Sequence, residues 1–306
     1  MSDESKLARW RELPLPKLMA EALARKQVSR GSNISLCSII NAKSGKCSED
    51  CRFCVQSSHY STAAPIYPLK EAGEVVAAAR EAHAVGATRF SLVTSGRGPS
   101  AGELKRIVEL VAAIRAEVPI KVCASLGIMD RRGLQLLREA GVSRYHHNLE
   151  TSREYFPSIA TTHTFAERVA TIRAAQEAGL EVCAGGIFGL GESEDDRVSM
   201  ALTLKELAVD SVPVNVLLPL PGTPLSGMPP LAVADILRSL ALYRLILPQV
   251  PIRLAAGRES GLADFLGVAF LAGVDGMMIG GYLTQRGRLP AEDHYFVREI
   301  LRIWNS

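Results

Sequence analysis

The amino-acid sequence predicts an α/β fold, a closed (βα)8 TIM-type barrel with a short N-terminal helical extension. Three observations predict it. Short apolar runs alternate with amphipathic helical patterns along 306 residues, with no sequence repeat, long linker or low-complexity tract. Alternation of this kind builds βαβ units on a parallel sheet. Eight such runs occur, which suits a barrel of typically ~250 residues. Several helical patterns close on an Ala-Gly pair before the next run: Ala140-Gly141, Ala178-Gly179 and Ala272-Gly273. Glycine just past a helix end can take the left-handed conformation that stops it. An open doubly wound sheet is the competing arrangement.

The elements follow in order. Residues 1–33 form the extension, with a helix around Leu15 to Ala24, and residues 34–306 form the barrel domain. Strands are expected at Ile34–Ile40, Arg89–Thr94, Ile120–Ser125 and Arg144–Glu150. The other four are expected at Glu181–Phe188, Val212–Leu218, Ile252–Ala256 and Gly276–Ile279. Leu104, Ile107, Val108, Val111 and Ile114 share one helical face, as do Phe165, Val169 and Ile172. Function in such a barrel sits at the C-terminal ends of the strands. Cys123, Asn148, Glu150, Cys183, Asn215 and Arg253 fall there or inside the strands, each a small or polar residue in an apolar run. A single strand cysteine reads best as a core residue; six such residues on five strands call for another explanation.

Composition narrows the class. The chain is 47% hydrophobic and 22% charged, with a formal net charge of +3. That charge is too small to argue for nucleic acid, and no apolar stretch has the ~18 residues of a membrane span. The start, MSDESKLARW, lacks the apolar core of a signal peptide. A cytoplasmic location is the expectation, and disulfides are rare there. The six cysteines must then be buried apolar residues or metal ligands.

Cys47, Cys51 and Cys54 stand in GKCSEDCRFCVQS, a C-x3-C-x2-C spacing just after the first strand. Three thiolates on one short loop can close on a small metal centre, and thiolates are what iron–sulfur clusters require. A four-iron cluster with three cysteines keeps one iron open, as catalytic metal sites do. Zinc is the rival reading; it usually takes four closed ligands, and no second cysteine pair follows. His146 and His147 read as hydrogen-bonded structural residues. Glu192, Glu194, Asp195 and Asp196 read as charges at a helix N-terminus. GGIFGLGE lacks the G-x-G-x-x-G spacing of a dinucleotide site. PLPGTPLSGMPP reads as a loop.

C-x3-C-x2-C with Phe53 before the last cysteine resembles the signature of the radical S-adenosylmethionine superfamily. The fuller pattern is narrower. CSIINAKSGKCSEDCRFCVQSSHY (37–60), HNLETS (147–152), VCAGGIFGLGE (182–192), SVPVNVLLPLPGTPL (211–225) and IRLAAGRE (252–259) together resemble the biotin synthases. The resemblance runs in order from about residue 34 to about 285.

The resemblance implies a radical enzyme that inserts sulfur into dethiobiotin. A [4Fe-4S] cluster on Cys47, Cys51 and Cys54 would bind S-adenosylmethionine and cleave it reductively. The resulting 5′-deoxyadenosyl radical would take hydrogen from dethiobiotin, and a second, auxiliary iron–sulfur cluster would donate the sulfur. Cofactors carry such chemistry while the protein orients and isolates it. Asn148 and Glu150 match the pair at the cofactor ribose, Asn148 also lying near the substrate; Glu150 is aspartate in some relatives. Arg168 matches an arginine that pairs with the methionine carboxylate, a task suited to its planar fork. On the residue alone, a solvated helix charge is the plainer reading of Arg168. Asn215 matches the asparagine facing the ureido ring, where an amide offers both a donor and an acceptor. Thr94, Ser95 and Gly96 follow the second strand, where backbone would lie against the methionine moiety. The family also implies a flavodoxin- or ferredoxin-type electron donor and a homodimer.

One position departs from the pattern. The best-known members hold the auxiliary cluster with three cysteines and one arginine on barrel strands. Cys123, Cys183 and Arg253 match, but Ser91 stands where the remaining cysteine is expected. A serine oxygen is a harder and poorer ligand for iron than thiolate. Cys37, on the first strand, is the candidate replacement. Cys37, Cys123 and Cys183 would hold either a four-iron cluster with its own open iron, the favoured form, or a two-iron cluster with Arg253 as fourth ligand. Relatives associated with anaerobes share the TSGR and NAKSG wording. Two rivals remain at this level: another radical enzyme on the same scaffold, of hydrogenase-maturase or methylornithine-synthase type, and a non-catalytic iron–sulfur or zinc protein.

Overall fold

A computed structural model describes residues 3–283 and 287–305. Nine parallel strands form one sheet: β1 (Ser35–Lys43), β2 (Arg89–Thr94), β3 (Lys121–Ser125), β4 (Arg144–His146), β5 (Glu181–Cys183), β6 (Gly186–Phe188), β7 (Val212–Val216), β8 (Ile252–Leu254) and β9 (Gly276–Met278). Their spatial order is β5-β4-β3-β2-β1-β9-β8-β7-β6. The two ends of that order are separated in the chain only by Ala184 and Gly185. They are halves of one interrupted strand, and the sheet closes on itself there.

The seam is made of backbone. Cys183 bridges to Ser211 and Glu150 to Gly186. Leu149 N–H donates to the Gly185 carbonyl at 2.9 Å, and Ala184 N–H donates to Ser211 at 3.0 Å. A Cβ on Gly185 would lie 1.9 Å from the Pro213 carbonyl oxygen, and one on Gly186 would lie 2.4 Å from that of Glu150. Only glycine permits this approach. The glycines of GGIFGLGE thus close the barrel. All eight expected strands are present, the fifth split in two. The fourth stops at His146, short of the expected Glu150, whose φ of +71° is outside extended backbone.

Helices surround the sheet. Ala101–Glu117, Phe165–Glu177 and Glu194–Glu206 each begin with a capping box, formed by Ser100 with Glu103, Thr164 with Glu167 and Ser193 with Asp196. Each such cap contributes about 1 kcal/mol. Arg131–Ala140 ends on Gly141 at φ +104°, the left-handed stop expected of its Ala-Gly pair. Ile107, Val111, Ile114 and Ile172 are buried against the strands, as their spacing requires. Glu192 departs from the helix-dipole expectation. It lies before the cap, buried, and pairs with Arg197 at 2.8 Å.

The extension folds as helices Asp3–Glu12 and Leu15–Arg30. The second packs against helix Val233–Ile246, burying Leu18 and Ala22 completely. Among the described residues, no helix is long and apolar enough to cross a membrane.

Candidate functional site

A cavity of about 290 Å³ opens inside the barrel, and all six cysteines line it as free thiols. They fall into two sets carried by different structure.

Cys47, Cys51 and Cys54 lie on the loop that leaves the C-terminal end of β1. The loop folds back on itself: Cys47 N–H donates to Gln56 O at 3.0 Å, Ser58 N–H to Cys47 O at 2.8 Å and Cys54 N–H to Cys51 O at 2.9 Å. Asp50 pins it across the barrel mouth by accepting the backbone N–H groups of Thr161 and Thr162 at 2.8 and 3.2 Å. Burial alone would raise the Asp50 carboxyl, but the hydrogen bonds from Thr161 and Thr162 hold it well below the usual range. Burial pushes the Cys51 thiol up to about 12 and Cys54 to about 11. These thiols favour the protonated state until a metal takes their charge. Phe53, Ser95 and Gly96 line the same end of the cavity. Ser95 Oγ is committed to the Gly45 carbonyl at 2.6 Å, which leaves Gly96 as the open backbone there.

Asn148, Glu150 and Arg168 form one buried group. Asn148 Nδ2 donates to Glu150 at 3.1 Å, and its Oδ1 accepts from Gly185 N–H at 3.2 Å. Arg168 Nη1 donates to the Asn148 carbonyl at 2.9 Å and lies 3.5 Å from Glu150. Its Nε donates to His163 Nε2 at 3.1 Å, and His163 Nδ1 faces Glu49 at 2.6 Å. A ring nitrogen that accepts from arginine is unprotonated, so the proton lies on Nδ1 and points at Glu49. Arg168 is therefore a buried residue tied to the cysteine loop, and the solvated-charge reading is corrected. Its Nη2 has no hydrogen-bond partner among the described residues. Asn215 spends one donor on Gly186 O and one acceptor on Ala256 N–H, both at 3.1 Å. One of each remains to face the cavity.

Cys37, Cys123 and Cys183 lie on β1, β3 and β5, with Arg253 on β8. Register sets Ser91 between Ile39 of β1 and Cys123 of β3. The Ser91 Oγ is buried with no hydrogen-bond partner. Burial raises Cys37 to about 11 and raises Cys123. Burial also raises Cys183, but a hydrogen bond from His146 and the charges of His146, Arg144 and Arg253 outweigh it and bring the thiol to about 7. Among the described residues, no three Cys, His, Asp or Glu side chains converge tightly enough for a single metal ion. Thiolates that each bind a different iron of one cluster stand further apart than ligands of one zinc. Neither cysteine set therefore forms a converged single-ion site among the described residues.

Several lining residues carry no prediction from the sequence as ligands or contacts: Arg89, Arg144 and His146 by the strand cysteines, and Glu49 and His163 by the loop. His146 is hydrogen-bonded to Cys183, as a structural reading of it expects, whereas His147 is buried with Nε2 unpartnered among the described residues. The available signal was a polar residue in an apolar run, the same that marked Cys123.

The chain matches two family models, the Radical SAM superfamily over residues 42–204 and the Biotin and Thiamin Synthesis associated domain over 213–300. Among curated relatives, the biotin synthase of Heliobacterium modesticaldum is 50% identical over 295 residues, 96% of this chain and 90% of that protein. That of Pelotomaculum thermopropionicum is 52% identical over 281 residues, 91% of this chain and 88% of that protein. Among solved structures, methylornithine synthase superposes with a TM-score of 0.83 at 22% identity, covering 98% of this chain and 92% of that one. The hydrogenase maturase from Carboxydothermus hydrogenoformans gives 0.80 at 21%, covering 96% and 76%. At those identities the two structures speak for the shared barrel alone.

Proposed function

The chain belongs to the biotin synthase family of radical SAM enzymes, and on that premise we propose how its residues divide the insertion of sulfur into dethiobiotin. When bound, the [4Fe-4S] cluster and S-adenosylmethionine supply one-electron cleavage and an organic radical able to take hydrogen from an unactivated C–H bond, chemistry beyond amino-acid side chains.

Cys47, Cys51 and Cys54 would hold the [4Fe-4S] cluster at the barrel mouth, where it would bind S-adenosylmethionine and supply the electron for its cleavage. Arg168 presents Nη2 to the carboxylate of S-adenosylmethionine, held in place by Asn148, Glu150 and His163. Asn148 and Glu150 receive the ribose hydroxyls, Gly96 lays backbone beside the methionine, and Phe53 walls the pocket. Dethiobiotin occupies the cavity between the cysteine sets, its ureido group on Asn148 and Asn215. Cys37, Cys123 and Cys183, with Arg253 beside them, would hold the auxiliary cluster, proposed as four-iron, which would supply the sulfur. The barrel wall would exclude water from the bound substrates along this path. The remaining assignments follow the family: a reducing cytoplasmic setting, a flavodoxin- or ferredoxin-type donor, a homodimer, and an extension (1–33) ahead of one catalytic domain (34–306).

The observation that carries this reading is the placement of six free thiols on one cavity in two separate sets. Anaerobic reconstitution tests it. The chain should bind about eight iron atoms if both clusters are four-iron and about six if the second is two-iron, with Mössbauer spectra identifying the types. Cys37→Ala should bind about four, still release 5′-deoxyadenosine and form no biotin. Full biotin formation by that variant would remove Cys37 from the ligand set.

A further inference from the structure

The strand-borne site holds more positive charge than the proposed ligands account for. Arg89, Arg144 and Arg253 all line the cavity beside Cys37, Cys123 and Cys183. Arg144 and Arg253 are only 7% and 8% exposed. One carboxylate answers the first two. Glu181 accepts from Arg89 Nη2 at 2.8 Å and from Arg144 Nε and Nη2 at 2.9 and 2.7 Å. Among the described residues, Arg253 is held only by hydroxyls, those of Ser35 at 3.0 Å and of Ser211. Three guanidiniums against one carboxylate leave two positive charges unanswered among the described residues.

Register directs that surplus inward. Arg144 is paired with Cys123 on one side and Glu181 on the other, and Arg89 is paired with Cys37. Arg89 Nη1 comes within 3.9 Å of Cys123 Sγ. Burying unpaired charge is costly, so such a surplus is tolerable only against an anion. A cluster held by three thiolates is anionic, and an extra sulfide on an open iron makes it more so. Arg144 has Nε and Nη2 committed to Glu181, which fixes its plane as a stationary charge, and a protonated guanidinium has no lone pair for iron.

Resting on the auxiliary-cluster reading above, we propose that Arg144, clamped with Arg89 by Glu181, is a positioning residue that holds negative charge on the auxiliary cluster without ligating iron. Positive charge beside a cluster stabilises its reduced form and raises its reduction potential. Glu181 offsets part of that charge, so the two residues act with opposite sign.

The test is an EPR-monitored redox titration of the reconstituted holoenzyme. Arg144→Gln should lower the midpoint potential of the auxiliary cluster, Glu181→Gln should raise it, and Arg144→Lys should stay near the parent value. If Arg144→Gln fails to assemble that cluster while Arg144→Lys assembles it, the requirement for charge is upheld. If both fail, the sign of the Glu181→Gln shift decides. A shift of the same sign in Arg144→Gln and Glu181→Gln, or none in either with the cluster present, overturns the proposal. A parent chain with one cluster only would overturn the auxiliary-cluster reading itself, a result visible before any variant is made.

Discussion

The two cysteine sets face one cavity but are assembled in opposite ways. The loop set lies within eight residues of chain and is shaped by hydrogen bonds among near neighbours, such as Cys47 to Gln56 and Cys54 to Cys51. The strand set draws Cys37, Cys123 and Cys183 from three strands and Arg253 from a fourth, so it exists only when the strands have assembled into the curved sheet. Bringing distant residues together costs chain entropy that a short loop largely avoids. The loop set is therefore a local motif placed on a fold, while the strand set is a property of the fold itself.

The largest expected effect separates the two chemically. Cys51→Ala should reduce both 5′-deoxyadenosine and biotin formation by about three orders of magnitude or more, because the cosubstrate loses its cluster. Cys123→Ala should remove biotin alone. Product analysis by liquid chromatography checks both, and loss of 5′-deoxyadenosine from the second variant would merge the two sites.

Next in size is the closure seam. In Gly185→Ala the new methyl meets the Pro213 carbonyl at 1.9 Å. Overpacking of this kind costs about 1–3 kcal/mol, read as a lower thermal midpoint. Iron should leave the strand set before the loop set, and Mössbauer spectra of the partly depleted variant would show the order. Equal loss from both would mean that the loop depends on barrel closure as much as the strands do.

A smaller effect tests the link between loop and barrel. Glu49, His163 and Arg168 form a continuous buried chain from the cysteine loop to the Asn148 carbonyl. Arg168→Lys keeps the charge but loses the fork. The KM for S-adenosylmethionine should rise about tenfold, roughly 1.4 kcal/mol, with kcat changed less. A fall in kcat at constant KM would place Arg168 in the chemical step instead.

The smallest effect belongs to Ser91. Its buried hydroxyl has no partner among the described residues, so Ser91→Ala should leave stability unchanged or raise it, by about 1 kcal/mol at most, and leave the iron content unchanged. Loss of the second cluster would make Ser91 a ligand and question Cys37.

The legibility of these features follows the same division. Eight strands, the helix faces and the loop cysteines were readable because each depends on periodicity or spacing over a few residues. The interruption at Ala184-Gly185 was not, since the cause is the approach of Pro213 from another strand. Arg168 looked like a surface charge on a helix, and only the packing of Asn148 and His163 shows it to be buried. Arg89, Arg144 and Glu181 each begin a strand, where charged residues ordinarily meet solvent. The Glu181 side chain is indeed 41% exposed.

By itself, the sequence determined the barrel, the three-thiolate loop and the existence of a second set of three cysteines, because residue type and local spacing suffice for these. Tertiary structure alone decided that Cys37, paired with Arg89, and Cys123, paired with Ser91, line one cavity across β2. It alone brought Glu49 to Arg168 through His163 and turned two further arginines toward the thiols. The physical reason is register: which side chains face one another across parallel strands depends on how the sheet closes, and no stretch of neighbouring residues contains that information.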